Sequence, residues 1–178
     1  MNKAQERAGK EAVSPNFVQK DMRKLDLNKK FQAAFILGNS FGYFDDEDNE
    51  KVIKNASKVL EKGGYFILDL PNTIDLLRHE VGGEARKEKI PNGHILTEDK
   101  SLNPLNLTLK LKWTIVKDDK KRSYEGKLRL YTFPEISILL NRYQFEIKEV
   151  FGSFQSEDYG LETPRMIVVC KKNKQVCQ

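Results

Sequence analysis

Cysteine, histidine and tryptophan are scarce in this chain: its 178 residues include two Cys, two His and one Trp. Cys170 lies in an apolar run and Cys177 next to the chain end, so they form neither a metal-type pair nor a disulfide framework. They read as a buried small hydrophobe and a loose tail thiol. His79 and His94 have no Cys, His or Asp at ligand spacing, so no metal site is expected. Long hydrophobic runs are also missing. The longest, such as AAFILG at 33–38, fall far short of the ~20 residues a spanning helix needs, so no membrane partner is expected. The opening MNKAQERAGKE is charged and has no apolar segment of the secretory type, which makes a cytoplasmic location the expectation. Charge of one sign does not dominate: 31 Lys and Arg face 26 Asp and Glu. The signs are mixed as on a solvated surface. Basic excesses at 20–30, 110–129 and 171–174 lack interleaved aromatics, so nucleic acid is not an expected partner. No glycine-rich loop opens a helix. The two glycine pairs read instead as a helix stop at Gly63-Gly64 and a loop at Gly82-Gly83.

What is present has the length of one domain. Residues 3–12 are rich in helix formers and stop before Ser14-Pro15, and Asn16 to Gln19 reads as a short strand. Ala33 to Leu37 is a continuous apolar run of the kind found in a sheet covered on both faces, ending at Gly38-Asn39-Ser40. The acidic DDEDNE at 45–50 suits a helix start; Val52, Ile53, Ala56, Val59 and Leu60 follow at helical spacing. Tyr65 to Leu70 is again an apolar run, closed by Pro71-Asn72. Strand, helix and strand in this order indicate a parallel βαβ unit.

From Gly93 the period changes. Leu105, Leu107, Leu109, Leu111, Trp113 and Ile115 alternate as in a half-buried antiparallel strand, with Leu109 and Trp113 expected to point into a core. KDDKKR at 117–122 turns it into a returning strand near Tyr124 to Thr132, with His94 to Thr97 as a third pairing segment. Pro134 opens a helix carrying Ile136, Leu139, Leu140 and Tyr143, and strands follow at Phe145 to Phe151 and Met166 to Cys170. The expected division is an α/β core over 1–92 and 134–172, an antiparallel insertion over 93–133, and a flexible tail at 173–178.

These elements, with FVQKDMRKLD, FILGNSFGYF, VLEKGGYFILDLPN and LRLYTFPEISILLNRYQFEIKEVFGSF in this order, resemble the later two-thirds of a class I S-adenosylmethionine-dependent methyltransferase of small-molecule type. The resemblance implies a Rossmann-like α/β sheet without its N-terminal strands, and an antiparallel lid. It also implies methyl transfer from S-adenosylmethionine to a small-molecule nucleophile. The family's glycine-rich loop and ribose-binding acid have no match, so a truncated or divergent chain with impaired cofactor binding is expected; a non-enzymatic interaction module is the alternative. By similarity, Asp21 accepts from the adenine amino group beside the Met22 backbone N–H, while Leu37, Gly38 and Asn39 face the methionine part. Read on its residues alone, Asp21 serves equally well in a turn, and 37–39 as a strand-to-loop turn.

Phe41, Tyr43 and Phe44 form an aromatic cluster able to attract a sulfonium. Tyr43 and Tyr131 are the candidate catalytic phenols, and Phe41, His94 and Arg165 the candidate substrate contacts, Arg165 through a bidentate hold on a carboxylate. Unpaired strand edges make a homo-oligomer possible.

Overall fold

The computed structural model describes residues 2–11, 13–79, 85–117 and 120–173. Gly82-Gly83, the centre of the 117–122 turn, Cys177 and the tail beyond Asn173 lie outside the described residues.

Helix α1 (Asn2–Lys10) is followed by an irregular stretch and a single 3-10 turn, Met22–Lys24. The strand expected at 16–19 does not form: these residues have no strand partner, and Val18 is exposed. Strand β1 (Phe31–Ile36) leads through helix α2 (Asp46–Val59) to strand β2 (Leu60–Pro71), which pairs with β1 in parallel, as the apolar runs require. Asp45 caps α2 by accepting from the Asp48 N–H at 2.8 Å, and Asp46, Glu47 and Asp48 complement the helix dipole. The helix stops at Val59 rather than at Gly63-Gly64. Leu60 is already extended, and the glycines fall inside β2, where Gly63 takes φ +80° next to a register shift against β1.

After β2 comes α3 (Thr73–His79), a helix not anticipated from the sequence; Asn72 starts it by accepting from the Ile74 N–H at 3.1 Å. Strands β3 (Arg86–Ile90), β4 (His94–Asn103), β5 (Thr108–Lys117) and β6 (Lys120–Arg129) then form an antiparallel sheet in sequence order. It begins ahead of Gly93, since Arg86 to Ile90 pairs with β4. Leu105, expected on the alternating face, is 95% exposed in the β4–β5 turn, where the strand pattern has not yet begun. Leu109 is buried as expected, while Trp113 is only half-buried.

Helix α4 (Phe133–Arg142) opens with a capping box between Thr132 and Glu135, and β7 (Phe145–Phe151) and β8 (Arg165–Lys172) complete the first sheet in the order β1-β2-β8-β7. One face of this sheet carries the core. Phe66, Leu68 and Leu70 of β2, Phe145 of β7 and Met166, Val168 and Cys170 of β8 pack against Val52 and Ile53 of α2 and Ile136 and Leu140 of α4. Burial pushes the Cys170 thiol up to about 12, which suits an inert core residue. The opposite face is open near β1. Phe35 is 60% exposed, with Phe31, Leu37 and Tyr65 also exposed, contrary to the two-sided cover expected for β1, because no described element packs there.

Candidate functional site

In open α/β sheets ligands bind beyond the carboxyl ends of the strands. Here that end is organised by one buried carboxylate. Asp69 interrupts the apolar β2 strand and is fully buried. It receives Arg165 from the start of β8 in a bidentate pair, Nε to Oδ1 at 2.7 Å and Nη2 to Oδ2 at 2.5 Å, together with the Gly38 N–H at 2.7 Å. Arg165 Nη2 also reaches Asn39 Oδ1 at 3.3 Å, and its guanidinium lies over the exposed Phe154 ring. The turn after β1 is thereby fixed in an unusual shape, with Gly38 at φ +68° and Asn39 at φ +56°. Glycine at the first position meets the positive φ without steric cost, and a Cβ there would meet nothing within 4 Å, so the backbone is open to a neighbour.

Beside this turn lies a concavity of about 340 Å³, mostly apolar, with Met22, Leu37, Ser40 and Val52 among its walls. It forms because the 3-10 turn is tied to α2: Asn55 Nδ2 donates to the Met22 and Arg23 carbonyls at 3.2 and 2.9 Å. Asp21 caps that turn. Its carboxylate accepts from the Arg23 N–H at 2.9 Å and from the Arg23 guanidinium, which holds it well below the usual range, at about 2. The same guanidinium reaches Asp48 at 2.7 Å and covers the Phe44 ring. The structure thus brings Met22 and Leu37 to one cavity, with Asp21 at the turn that carries Met22 and Gly38-Asn39 at the strand end.

The remaining expected site residues fare differently. Tyr43 is exposed in the loop after Asn39. Phe41 is 1% exposed with its ring against Tyr131, so it is a core residue and offers no surface to a substrate. Tyr131 is buried too; its hydroxyl donates to Asp46 Oδ1 at 2.8 Å and accepts from Asn49 Nδ2 at 3.1 Å. Burial, with the Asp46 carboxylate beside it, pushes this phenol above its ordinary range, which disqualifies it as a base near neutral pH. His94 starts β4, about 27 Å along that strand from Leu102 at the core end, at ~3.4 Å per residue. It neighbours Ile115, Lys117 and Tyr124 at that end of the sheet, in a concavity separate from the one beside the strand-end turn. Arg165 does hold a carboxylate bidentately, but the protein's own, and only Nη1 is left without a partner among the described residues. Asp69 is the site residue that inspection of the sequence missed. Its signal was a lone acid near the carboxyl end of an otherwise apolar strand, YFILDL. Among the described residues no group of His, Cys, Asp or Glu could hold a metal ion, and no helix is long and apolar enough to cross a membrane.

A family model described as a methyltransferase domain matches residues 1–64. No curated protein matches. Among solved structures, an S-adenosylmethionine-dependent methyltransferase from Clostridium acetobutylicum is 20% identical with a TM-score of 0.84, over 97% of this chain and 71% of its own. The CcbJ methyltransferase from Streptomyces caelestis is also 20% identical with a TM-score of 0.84, over 97% and 70%. The S-adenosylmethionine-bound CalS10, an amino pentose methyltransferase from Micromonospora echinaspora, is 16% identical with a TM-score of 0.65, over 86% and 63%.

Proposed function

From a chain with the fold of the class I S-adenosylmethionine-dependent methyltransferases, we propose transfer of a methyl group from S-adenosylmethionine to a small-molecule nucleophile. S-adenosylmethionine is the cofactor expected of this fold family. The observation that carries the reading is the cavity shared by Met22 and Leu37, beside a strand-end turn that Asp69 and Arg165 hold rigid. The residues present fit the cofactor in part. An apolar slot next to the exposed Asp21 carboxylate and the Met22 backbone suits an adenine, whose amino group is a donor facing an acceptor-only group. Leu37, Gly38 and Asn39 suit the methionine end. No residue of this sequence matches the family's glycine-rich loop or ribose-binding acid.

Bound there, the cofactor supplies an electrophilic methyl group on a sulfonium. The protein's own part is alignment and exclusion of water rather than a fixed catalytic triad. Asp69 fixes the Gly38 amide and Arg165, and so sets the floor of the site. Tyr43 is the one member of the aromatic cluster left free, since Phe41 is buried and Phe44 lies under Arg23; it is the proposed acceptor-orienting group. Arg165 Nη1 remains to donate to an acceptor oxygen. The salt bridge with Asp69 neutralises the guanidinium, so this donor suits a hydroxyl or carbonyl better than a free carboxylate. An amino pentose, the acceptor class named for the Micromonospora echinaspora enzyme, carries hydroxyls of that kind beside an amine nucleophile.

Each lost hydrogen bond to a charged group costs ~1.5–3 kcal/mol, so two unmatched elements lower cofactor affinity by a few orders of magnitude. Calorimetric titration of this chain with S-adenosylmethionine is expected to show weak binding that Asp21→Ala removes. Tight binding indifferent to Asp21→Ala overturns the residue assignment. A second reading, a non-enzymatic interaction module, draws on the uncovered aromatic face of β1. It expects no cofactor binding, together with self-association in light scattering that Phe35→Lys abolishes.

A further inference from the structure

The antiparallel sheet rests on the core through a narrow base. Its apolar part is a small cluster of Leu109, Leu128 and Leu130, joined by Leu76 of α3 and by Leu102, Leu107 and Leu111. At the centre of the polar part stands Arg129, the last residue of β6, whose side chain is 13% exposed. Its guanidinium is gripped from several sides. Nε donates to Asp46 Oδ1 in the first turn of α2 at 3.1 Å, Nη2 to Glu135 Oε1 in the first turn of α4 at 2.6 Å, and Nη1 to the Leu130 carbonyl. The Tyr131 ring lies below it at 4.6 Å. Burial works against the charge, yet the two carboxylates hold the guanidinium protonated more firmly than usual.

The backbone of the same residue meets the loop after β1. Its N–H donates to the Gly42 carbonyl at 2.7 Å, and its own carbonyl lies so close that a Cβ on Gly42 would stand 2.4 Å from it. With Gly42 at φ +98°, the loop has been built to let β6 approach. One residue therefore touches the lid strand, both core helices and the loop that leads from the strand-end turn.

We propose that Arg129 is the positioning residue that latches the antiparallel sheet to the core and couples it to the 38–45 loop, so that lid and loop open as one unit. The coupling goes beyond the methyl-transfer reading and stands whether or not that reading holds, since it depends on contacts within the folded chain alone. The physical reason is that lysine or alanine cannot replace a planar donor with three acceptors. Losing charged hydrogen bonds at a site with little apolar support favours local opening over global unfolding.

Amide hydrogen exchange read by mass spectrometry on the whole chain tests this. Arg129→Ala is expected to speed exchange ~10-fold or more, together, in peptides covering 38–45, 102–109 and 126–131, while β2 and β8 keep their protection. Arg129→Lys, which retains the charge but reaches one carboxylate at a time, falls between. Asp46→Asn cuts one limb of the latch at an exposed carboxylate and should raise lid and loop exchange together by less; it carries the test alone if Arg129→Ala does not fold. Exchange that rises in the lid while the loop stays at its native rate overturns the coupling. So does exchange that rises equally in β2 and β8, or none at all.

Discussion

In the β1-β2-β8-β7 sheet, apolar side chains of three strands meet those of two helices, and the polar groups buried with them, such as Asn49 and Tyr131, are hydrogen-bonded. In the β3-β4-β5-β6 sheet, buried apolar side chains are confined to the base, and the rest is a backbone ladder with cross-strand pairs such as Thr114 with Ser123. The difference is physical. A helix-covered sheet gains from area removed from water on a whole face, roughly 25 cal/mol per Å². A sheet standing away from its domain gains mainly from its cross-strand pairs and pays little when its tip opens. The helix-covered sheet is therefore expected to set global stability, and the antiparallel sheet to open locally first.

The largest break in this comparison is expected at Phe66, fully buried and stacked on Phe145 at 5.0 Å. Phe66→Ala should lower unfolding free energy by ~3–5 kcal/mol in denaturant titration, affecting the whole domain. Asp69→Ala comes next. It strips the acceptor from Arg165 and from the Gly38 N–H, and because Arg165 is partly solvated the loss should be about 2–4 kcal/mol. The double variant with Arg165→Ala should cost less than the sum of the two, as a thermodynamic cycle would show. On the antiparallel sheet, Trp113 is half-buried, lies against Gly126 and donates from Nε1 to Glu98 at 2.9 Å. Trp113→Ala should therefore cost only about 1–2 kcal/mol, below the value for a fully buried tryptophan, with the change confined to amides of the antiparallel sheet.

The smallest effect concerns pH at the 3-10 turn. Asp21 has a folded pKa of about 2 against an ordinary 3.8, first because the Arg23 side chain hydrogen-bonds it. A depressed carboxylate pKa contributes stability that is present above the unfolded value and is lost as pH falls through the folded one. The local contribution should thus be intact at neutral pH and fade between about pH 4 and about pH 2. A carboxyl chemical-shift titration should show that midpoint, moving up to the ordinary range in Arg23→Ala.

Much of the fold was legible because period and punctuation are local. The apolar runs around 33–37 and 65–70, the acid-capped α2, the Pro134 helix and the strand at 145–151 all lie where spacing put them. Local signals failed where partners decide. Asn16 to Gln19 has strand-like residues but no neighbour to pair with, and Leu105 continues an apolar alternation into a turn. Gly63-Gly64 stops no helix because α2 had already ended. At the site, Asp21 and Leu37 to Asn39 are identified through the family resemblance, while their own neighbours in sequence indicate only a turn and a strand end. Phe41 and Tyr131 could not be told from ligand contacts, since burial depends on what packs around them.

By itself, the sequence determined most of the helices and strands, though not α3 or the absence of a strand at 16–19, and that the chain has a parallel unit interrupted by antiparallel strands. Those properties follow from hydrophobic period, caps and turns within a few residues. Only the tertiary structure decided which charges meet. Asp69 and Arg165 are 96 positions apart, and Arg129 and Asp46 are 83 apart. Strand order and helix packing bring each pair together, and a buried charge then selects its partner because an unpaired one is too costly to keep.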